Sequence, residues 1–430
     1  MISKKSSMPL LFLENCFVME QTVLAVDIGT SSLKAAFVSE KGKISAFSRR
    51  PFLLCNTEHA SKEWLPAFQN ALQDLVSQSP EIRPSGICVS GNGPTLVAQS
   101  GETLLWNEKV VQLKSSSLFI PRLLAFKDKF SDVWKKTELV YSGPEYFLWL
   151  LTGESCTILP EKRFESAYWN KQLLLESGFS NDEINKLPSF TEPSHKVAGL
   201  SRKASSFLGV EEFGIKEGLP VFCGSPDFIS ALVGTATVKP GILCDRAGSS
   251  EGINFCTAVP LEGEKIRTLP SVVPELWNAS VLLPDSGSKF DSFKLKIERE
   301  LGKQIEYSVL VQEIIESDGT NASLDQGKYL MIQTALNLKD AIGILKDAAE
   351  KKGVPFPDEM RVAGGQAKSA LWNQMKADIT GMKISVPSCP DAELLGDAAF
   401  AFTALKVFSS LVCASESLFS KAETFYPQNY

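Results

Sequence analysis

The chain has 430 residues, 44% of them hydrophobic and 22% charged, with a formal net charge of −6. A single core stops growing at roughly 250–300 residues, so this is the composition of a globular protein with two domains. The acidic balance argues against a nucleic-acid surface but not against small anionic ligands, which a nest of backbone N–H groups binds on an acidic protein. Nine cysteines with no C-x-x-C pair and only two histidines, His59 and His195, indicate reduced thiols in a cytoplasmic protein. They speak against a histidine-based zinc site or a serine–histidine hydrolase.

The opening MISKKSSMPLLFLENCFVME sets two lysines before an apolar patch that Glu14 and Asn15 interrupt, with no small-residue cleavage site after it. Residues 1–20 are expected to form a disordered or loosely docked extension, with Met1 and Met19 both open as the start. No run of 18 apolar residues occurs, so no membrane span is expected.

TVLAVD, ending at Asp27, reads as a buried strand, and LKAAFV as its hairpin partner. Gly29 permits the turn between them, and the Thr30, Ser31 and Ser32 hydroxyls add donors to its N–H groups. Such a turn suits a phosphate. Asp27 would repel that phosphate unless a hydrated Mg2+ lay between them; an ordinary polar hairpin turn is the alternative.

A third strand, ISAFSRRPFLL, precedes the helix SKEWLPAFQNALQDLVSQ, which carries Trp64, Leu65, Phe68, Leu72 and Leu75 at helical spacing behind a Ser61 cap. SGICVSG, TLVAQ and ETLLW read as strands. The stretch from Lys109 to Val197 is mainly helical, PRLLAFKDKF and PEYFLWLLTGE being its clearest pieces.

GLPVFCGSPDFISALVG repeats the strand–turn–helix pattern, with Pro226 in the first helical turn. GILCDRAGSS and EGINFCTA then form a second hairpin, whose A-G-S-S turn echoes D-I-G-T-S-S about half a chain away. This self-similarity predicts two lobes of related design, each offering a phosphate loop to one cleft; two unrelated hairpins are the alternative. MRVAGG, KSALWNQMKADITG, KISVP and DAELLGDAAFAFTALKVF close the chain as strand, helix, strand and helix. Gly364 and Gly365 stand where backbone can press against a planar ligand.

Taken in order, these pieces resemble the FGGY family of carbohydrate kinases, within the actin-like ATPase superfamily, from Thr22 to about Lys406. DIGTSSLKAAFV is similar to the family's first phosphate loop, and ASKEW to the segment before its first long helix. SGNGPTLV with LLWNE resembles the sugar-contacting stretch of xylulokinase-like members. PEYFLWLLTGE resembles P-x-D-Y-x-x-x-x-L-T-G-E, and PVFCGSPDFISALVG resembles P-V-x-x-G-x-x-D. AGSS is similar to the second phosphate loop and AGGQAKSALWNQMKADITG to the adenosine loop.

The resemblance implies an α/β protein of two lobes with a duplicated ribonuclease H-like fold around a deep cleft. The extension would occupy 1–20, the N-terminal lobe 21–240 and a shortened C-terminal lobe 241–430. It implies transfer of the γ-phosphoryl of ATP to a ketose, of the D-xylulose type, or a polyol, with Asp227 as general base; capping of its own helix is the alternative role for Asp227. The phosphates would lie between Gly29, Thr30, Ser31 and Gly248, Ser249, Ser250, with Lys34 near them and Asp27 holding Mg2+ through water. Without the resemblance, Lys34 reads as a solvent-facing strand residue. Adenine would lie against Gly364, Gly365, Gln366 and Ala367 with Ser369 nearby, while Trp372 and Met375 read as core. The sugar would meet Asn92, Gly93, Trp106, Asn107, Glu108 and Asp227. A homodimer is a further expectation.

Three departures stand out. Pro94 and Thr95 replace the histidine of xylulokinases and the Arg-Glu of glycerol kinases, which removes a charged substrate contact. Glu145 replaces the family aspartate. The span from Phe290 to Met360 lacks the G-E-R-x-P signature, which predicts a trimmed second lobe. A catalytically silent member that binds nucleotide or sugar as a sensor, or an actin-like or chaperone-like ATPase, would share the loops; a Walker-type NTPase would show G-x-x-x-x-G-K-[ST], which is absent.

Overall fold

The computed structural model describes residues 20–111, 117–248, 251–283 and 286–428. Expectations for the leading segment through Met19, and for Ser249 and Ser250, lie outside them.

The first sheet is built from β1 (Thr22–Ile28), β2 (Ser32–Ser39), β3 (Ile44–Pro51), β4 (Ile87–Gly91), β5 (Lys196–Gly199) and β6 (Pro220–Pro226), in the order β5-β6-β4-β1-β2-β3. β1, β4 and β6 run parallel, while β1, β2 and β3 form an antiparallel meander. The second sheet comprises β7 (Leu243–Ala247), β8 (Glu251–Thr257), β9 (Arg267–Pro270), β10 (Trp277–Leu283), β11 (Glu359–Ala363), β12 (Lys383–Pro387) and β13 (Lys421–Phe425), in the order β9-β10-β8-β7-β11-β12-β13. Its β7, β11 and β12 are parallel, and β7, β8 and β10 antiparallel. The central orders β3-β2-β1-β4-β6 and β10-β8-β7-β11-β12 are the same plan twice, the duplicated ribonuclease H-like arrangement of actin-like ATPases.

The helices that position the site are α1 (Trp64–Gln78), α2 (Gly143–Thr152), α3 (Asp227–Gly234), α4 (Ser286–Leu301), α5 (Tyr307–Glu316), α6 (Ala322–Lys351), α7 (Ala370–Thr380) and α8 (Ala392–Ala404). β1 is buried along its whole length because both faces of the sheet are covered, which is what its unbroken apolar run requires. Leu24 and Val26 face Trp64 and Phe68 of α1. Val23 and Ala25 face the cluster that holds Leu394, Ala398 and Phe402 of α8. A helix that follows the second sheet in sequence thus packs on the first.

α3 and α8 cross at backbone contact. A Cβ on Gly234 would collide with the Ala392 carbonyl, and one on Gly396 with the Ser230 carbonyl. Gly396→Ala must therefore part the helices, and we expect a loss of about 1–3 kcal/mol, read as a lowered urea midpoint. An unchanged midpoint would show that the crossing is looser than this.

Two local expectations are corrected. Ser61 does not cap α1, which starts at Trp64 after a 3-10 turn over Ala60–Glu63 and has no side-chain cap; the buried Ser61 hydroxyl instead donates to the Gly101 carbonyl at 2.7 Å, which also accepts from the Thr103 hydroxyl at 3.1 Å. Pro226 lies before the first helical turn rather than in it: it ends β6 and serves as the N-cap residue of α3. Where G-E-R-x-P is missing, α4, α5 and α6 enclose their own core of Phe290, Phe293, Leu310, Ile314 and Met331, against Trp372 of α7. The described cysteines are free thiols. Among the described residues, no helix is long and apolar enough to cross a membrane.

Candidate functional site

The turn after β1 is closed by Gly29 N–H donating to the Ser32 carbonyl at 3.0 Å, and a Cβ on Gly29 would lie 2.9 Å from that oxygen. Asp27, 2% exposed, ends the strand beside it. Strand pairing sets Lys34 opposite Asp27, with the ammonium 3.3 Å from Asp27 Oδ2. The same ammonium lies 3.4 Å from Asp391 Oδ1 and 3.5 Å from Glu393 Oε2, at the start of α8. Asp27 Oδ1 has no partner. Burial, with repulsion from Glu393 and Asp227 added, pushes the Asp27 carboxyl up to about 7 in spite of Lys34. Burial opposes the Lys34 charge, yet Glu393, Asp27 and Asp391 together hold it above the ordinary lysine range.

Asp227 is the first residue of α3, half-buried, at the end of the strand next to β4. Burial raises its carboxyl above the usual carboxylate range, and Glu393 adds to this. Arg246 of β7 foremost, then the Phe228 N–H and Lys34, pull it back. Beneath it the fully buried Asp397 of α8 accepts from Ser90 at 2.8 Å and Ser230 at 3.0 Å. A Cβ on Gly224 would meet Asp397 Oδ1 at 2.9 Å, so the glycine before Asp227 makes room for this brace.

In the second sheet, the turn at Gly248 lies against the loop after β11. Gly364 takes a φ of +95°, and its missing Cβ would meet the Ala247 carbonyl at 2.6 Å. The two loops are thus in backbone contact. Gly365 is exposed with open space where a Cβ would point, while Ser369 caps α7 by accepting from the Trp372 N–H. The Ala367 carbonyl accepts from Asn373 at 2.9 Å. Gln366 turns inward: its amide donates to Glu251 Oε2 at 3.2 Å. Glu251 and Asp245 share the ammonium of Lys376 of α7, at 2.7 and 2.6 Å, all three side chains fully buried. Burial and the neighbouring Glu251 push Asp245 up to about 7.

The loop after β4 uses its polar groups internally. Asn92 donates to the Ile28 carbonyl at 3.0 Å and accepts from Thr95 at 2.5 Å. The Trp106 indole N–H donates to Thr30 Oγ1 at 2.8 Å, joining this loop to the first turn. Arg122 donates to the carbonyls of Leu105, Trp106 and Glu108; Glu108 is 2.7 Å from Lys129, and Asn107 is exposed. Gly93 and Pro94 line an open cleft whose wall includes Pro226 and Phe228, the chain neighbours of Asp227.

A family model described as the C-terminal domain of the FGGY family of carbohydrate kinases matches residues 330–405. Residues 330–405 are thus similar to the C-terminal domain of FGGY carbohydrate kinases. It is 24% identical over 355 residues to the autoinducer-2 kinase of Escherichia coli K12, a match covering 72% of this chain and 65% of that protein's length. With the autoinducer-2 kinase of Salmonella paratyphi B it shares 22% over 478 residues, covering 92% of this chain and 88% of the relative. The fold matches xylulose kinase from Rhodospirillum rubrum with a TM-score of 0.72 at 17% identity, covering 95% of this chain and 94% of that one. It matches Plasmodium falciparum glycerol kinase with ADP with a TM-score of 0.73 at 14% identity and the same coverages.

Arg246, Glu393, Asp397 and the Asp245–Glu251–Lys376 group escaped the sequence reading. Lys376 left one signal: it lies one helical turn beyond Trp372 on the face of α7 read as core.

Proposed function

We propose that this protein is an ATP-dependent kinase that transfers the γ-phosphoryl group to a hydroxyl of a ketose or polyol, with Asp227 as general base. The observation that carries this reading is the half-buried carboxylate of Asp227 at the start of α3, flanked by two residues of the cleft wall and facing Arg246 from the other sheet. In the proposed reaction the acceptor oxygen attacks the γ-phosphorus, the bond to the β-bridging oxygen breaks, ADP departs, and the acceptor proton passes to Asp227. Burial raises the Asp227 carboxyl above the usual carboxylate range, which makes it a better proton acceptor.

The phosphates would be gripped by Gly29, Thr30 and Ser31 from one lobe and the Gly248 to Ser250 turn from the other, with Lys34 adjacent. Asp27 suits a hydrated Mg2+, because its Oδ1 is buried without a partner; such an ion, when bound, supplies charge neutralisation to the phosphates. Adenine would rest on the open backbone at Gly365, beside Gly364, Gln366, Ala367 and Ser369. We place the lobes at 21–240 and 241–430, with α8 returning to the first sheet, and the protein in the cytoplasm.

An ADP-release assay over ketoses, pentitols and glycerol tests the reading. Acceptor-dependent ADP formation is expected; nucleotide binding without turnover on any acceptor would instead indicate a silent sensor. The acid limb of kcat carries a second expectation. A base works only when ionised, so activity should fall as pH drops through a pKa above the ordinary aspartate value of 3.8. A limb at or below that value would contradict the burial argument.

A further inference from the structure

We propose that Arg246 is a further catalytic residue, its guanidinium gripping two oxygens of the γ-phosphoryl group as that group passes from ADP to the acceptor. The inference rests on the kinase reading and adds to its machinery a side chain from the second sheet.

Strand geometry aims the residue. Successive side chains of β7 point to opposite faces of the sheet. Asp245 points to α7, where it meets Lys376, so Cys244 and Arg246 point to the other face. That face packs on α3: Arg361, the neighbour of Cys244 on β11, donates to the Ala236 carbonyl at 2.8 Å, just past the end of the helix. Arg246 lies two residues further along and comes opposite the start of α3, where, burial apart, it is the foremost influence on the Asp227 carboxyl. Its partners across the sheet on that face are Gly252 and Ala363, which are small and leave room for the long side chain. Gly248 of the second turn follows two residues later.

The neighbouring cations are already engaged. Lys34 lies 3.3, 3.4 and 3.5 Å from Asp27, Asp391 and Glu393, and Lys368 is 2.7 Å from Asp391. Arg246 is half-buried, yet among the described residues none accepts a hydrogen bond from its guanidinium or forms an ion pair with it. A charge drawn partly out of water without a counter-ion is costly, and a phosphoryl group held between the two sheets would supply one. The planar guanidinium fork matches two phosphoryl oxygens at once, whereas an ammonium acts as a point charge. In the transfer the acceptor oxygen bonds to the γ-phosphorus, the bond to the β-bridging oxygen breaks, and the proton goes to Asp227. Arg246 gives up no proton; it stabilises the charge that spreads over the equatorial oxygens.

Arg246→Gln should lower kcat by about 10³-fold or more, and Arg246→Lys, which keeps the charge but not the fork, should lower it less. The pH profile separates this role from mere tuning of Asp227. Loss of the nearby positive charge moves the acid limb upward in either case, but only loss of a phosphoryl contact lowers the plateau above it. Binding supplies a readout without turnover: calorimetry with Mg2+ and glycerol compares ADP alone with ADP plus aluminium fluoride, a mimic of the phosphoryl group in transit. Arg246→Gln should leave the affinity for ADP unchanged and weaken that of the fluoride complex by about 10–100-fold; Arg246→Lys serves where Arg246→Gln does not fold. A wild-type kcat in either variant, or a plateau that returns in full at high pH, overturns the inference and leaves the kinase reading intact. A wild type that turns over no acceptor but binds the fluoride complex more tightly than ADP, with the difference lost in Arg246→Gln, supports the grip and overturns the kinase reading. A wild type without turnover that binds the fluoride complex no more tightly than ADP overturns both.

Discussion

Asp227→Asn should lower kcat by about 10²–10⁴-fold, the usual contribution of a positioned general base, with little change in the KM for ATP. The amide keeps the volume of the carboxyl and the neighbours that fix it, Pro226 before it and α3 after it. Its α3 neighbour Ser230 still bonds Asp397, so the fold should survive. What is lost is the acceptor of the proton. A variant with unaltered kcat would remove Asp227 from the reaction and leave it the part of a helix-start residue. A fall in thermal stability matching the fall in activity would point to the same conclusion.

Lys376→Met should destabilise the protein by about 3–5 kcal/mol near neutral pH, because it strands two fully buried carboxylates that share one ammonium. Burial alone opposes the Lys376 charge, but Asp245 and Glu251 raise its pKa above the ordinary lysine value, so the ammonium is present throughout the working range. The sign with pH follows. With the lysine gone, Asp245 and Glu251 bind protons more tightly folded than unfolded, so the deficit should grow as pH rises from 5 to 8 and shrink on acidification. Urea unfolding at both pH values measures it. Adding Asp245→Asn and Glu251→Gln to Lys376→Met should recover a large part of the loss, since neutral amides need no counter-charge. A single variant as stable as the wild type at pH 8 would mean that water reaches the group. Glu251 begins β8 directly after the second turn, and Lys376 lies in the helix after the adenosine loop. The KM for ATP should therefore rise in the triple variant even where stability returns.

Much of the architecture was legible because local chemistry dictates it. TVLAVD could only be a strand buried on both faces, and a glycine with hydroxyls at the end of such a strand marks a hairpin turn. Because that signal recurs at Gly248, the duplication could be read from two short stretches. The pieces that stayed hidden depend on partners far away in the chain. Lys376 meets Asp245, 131 residues away, and nothing local distinguishes a lysine bound to buried carboxylates from one at the rim of an amphipathic helix. Ser61 had the residue type of a cap, but its hydroxyl went to a carbonyl 40 residues on, a preference that only the folded loop sets. Glu393 and Arg246 bear on Asp27 and Asp227 because α8 returns to the first sheet and β7 faces α3. Those are consequences of how the halves meet.

A crystal structure with a non-hydrolysable ATP analogue, Mg2+ and a ketose tests the central claim most directly. The triphosphate should lie between the Gly29 to Ser31 turn and the Gly248 turn, with an Asp227 carboxylate oxygen about 2.6–3.2 Å from an acceptor hydroxyl. Phosphates bound at only one turn, or an acceptor lodged away from Asp227 with the analogue in place, would contradict it.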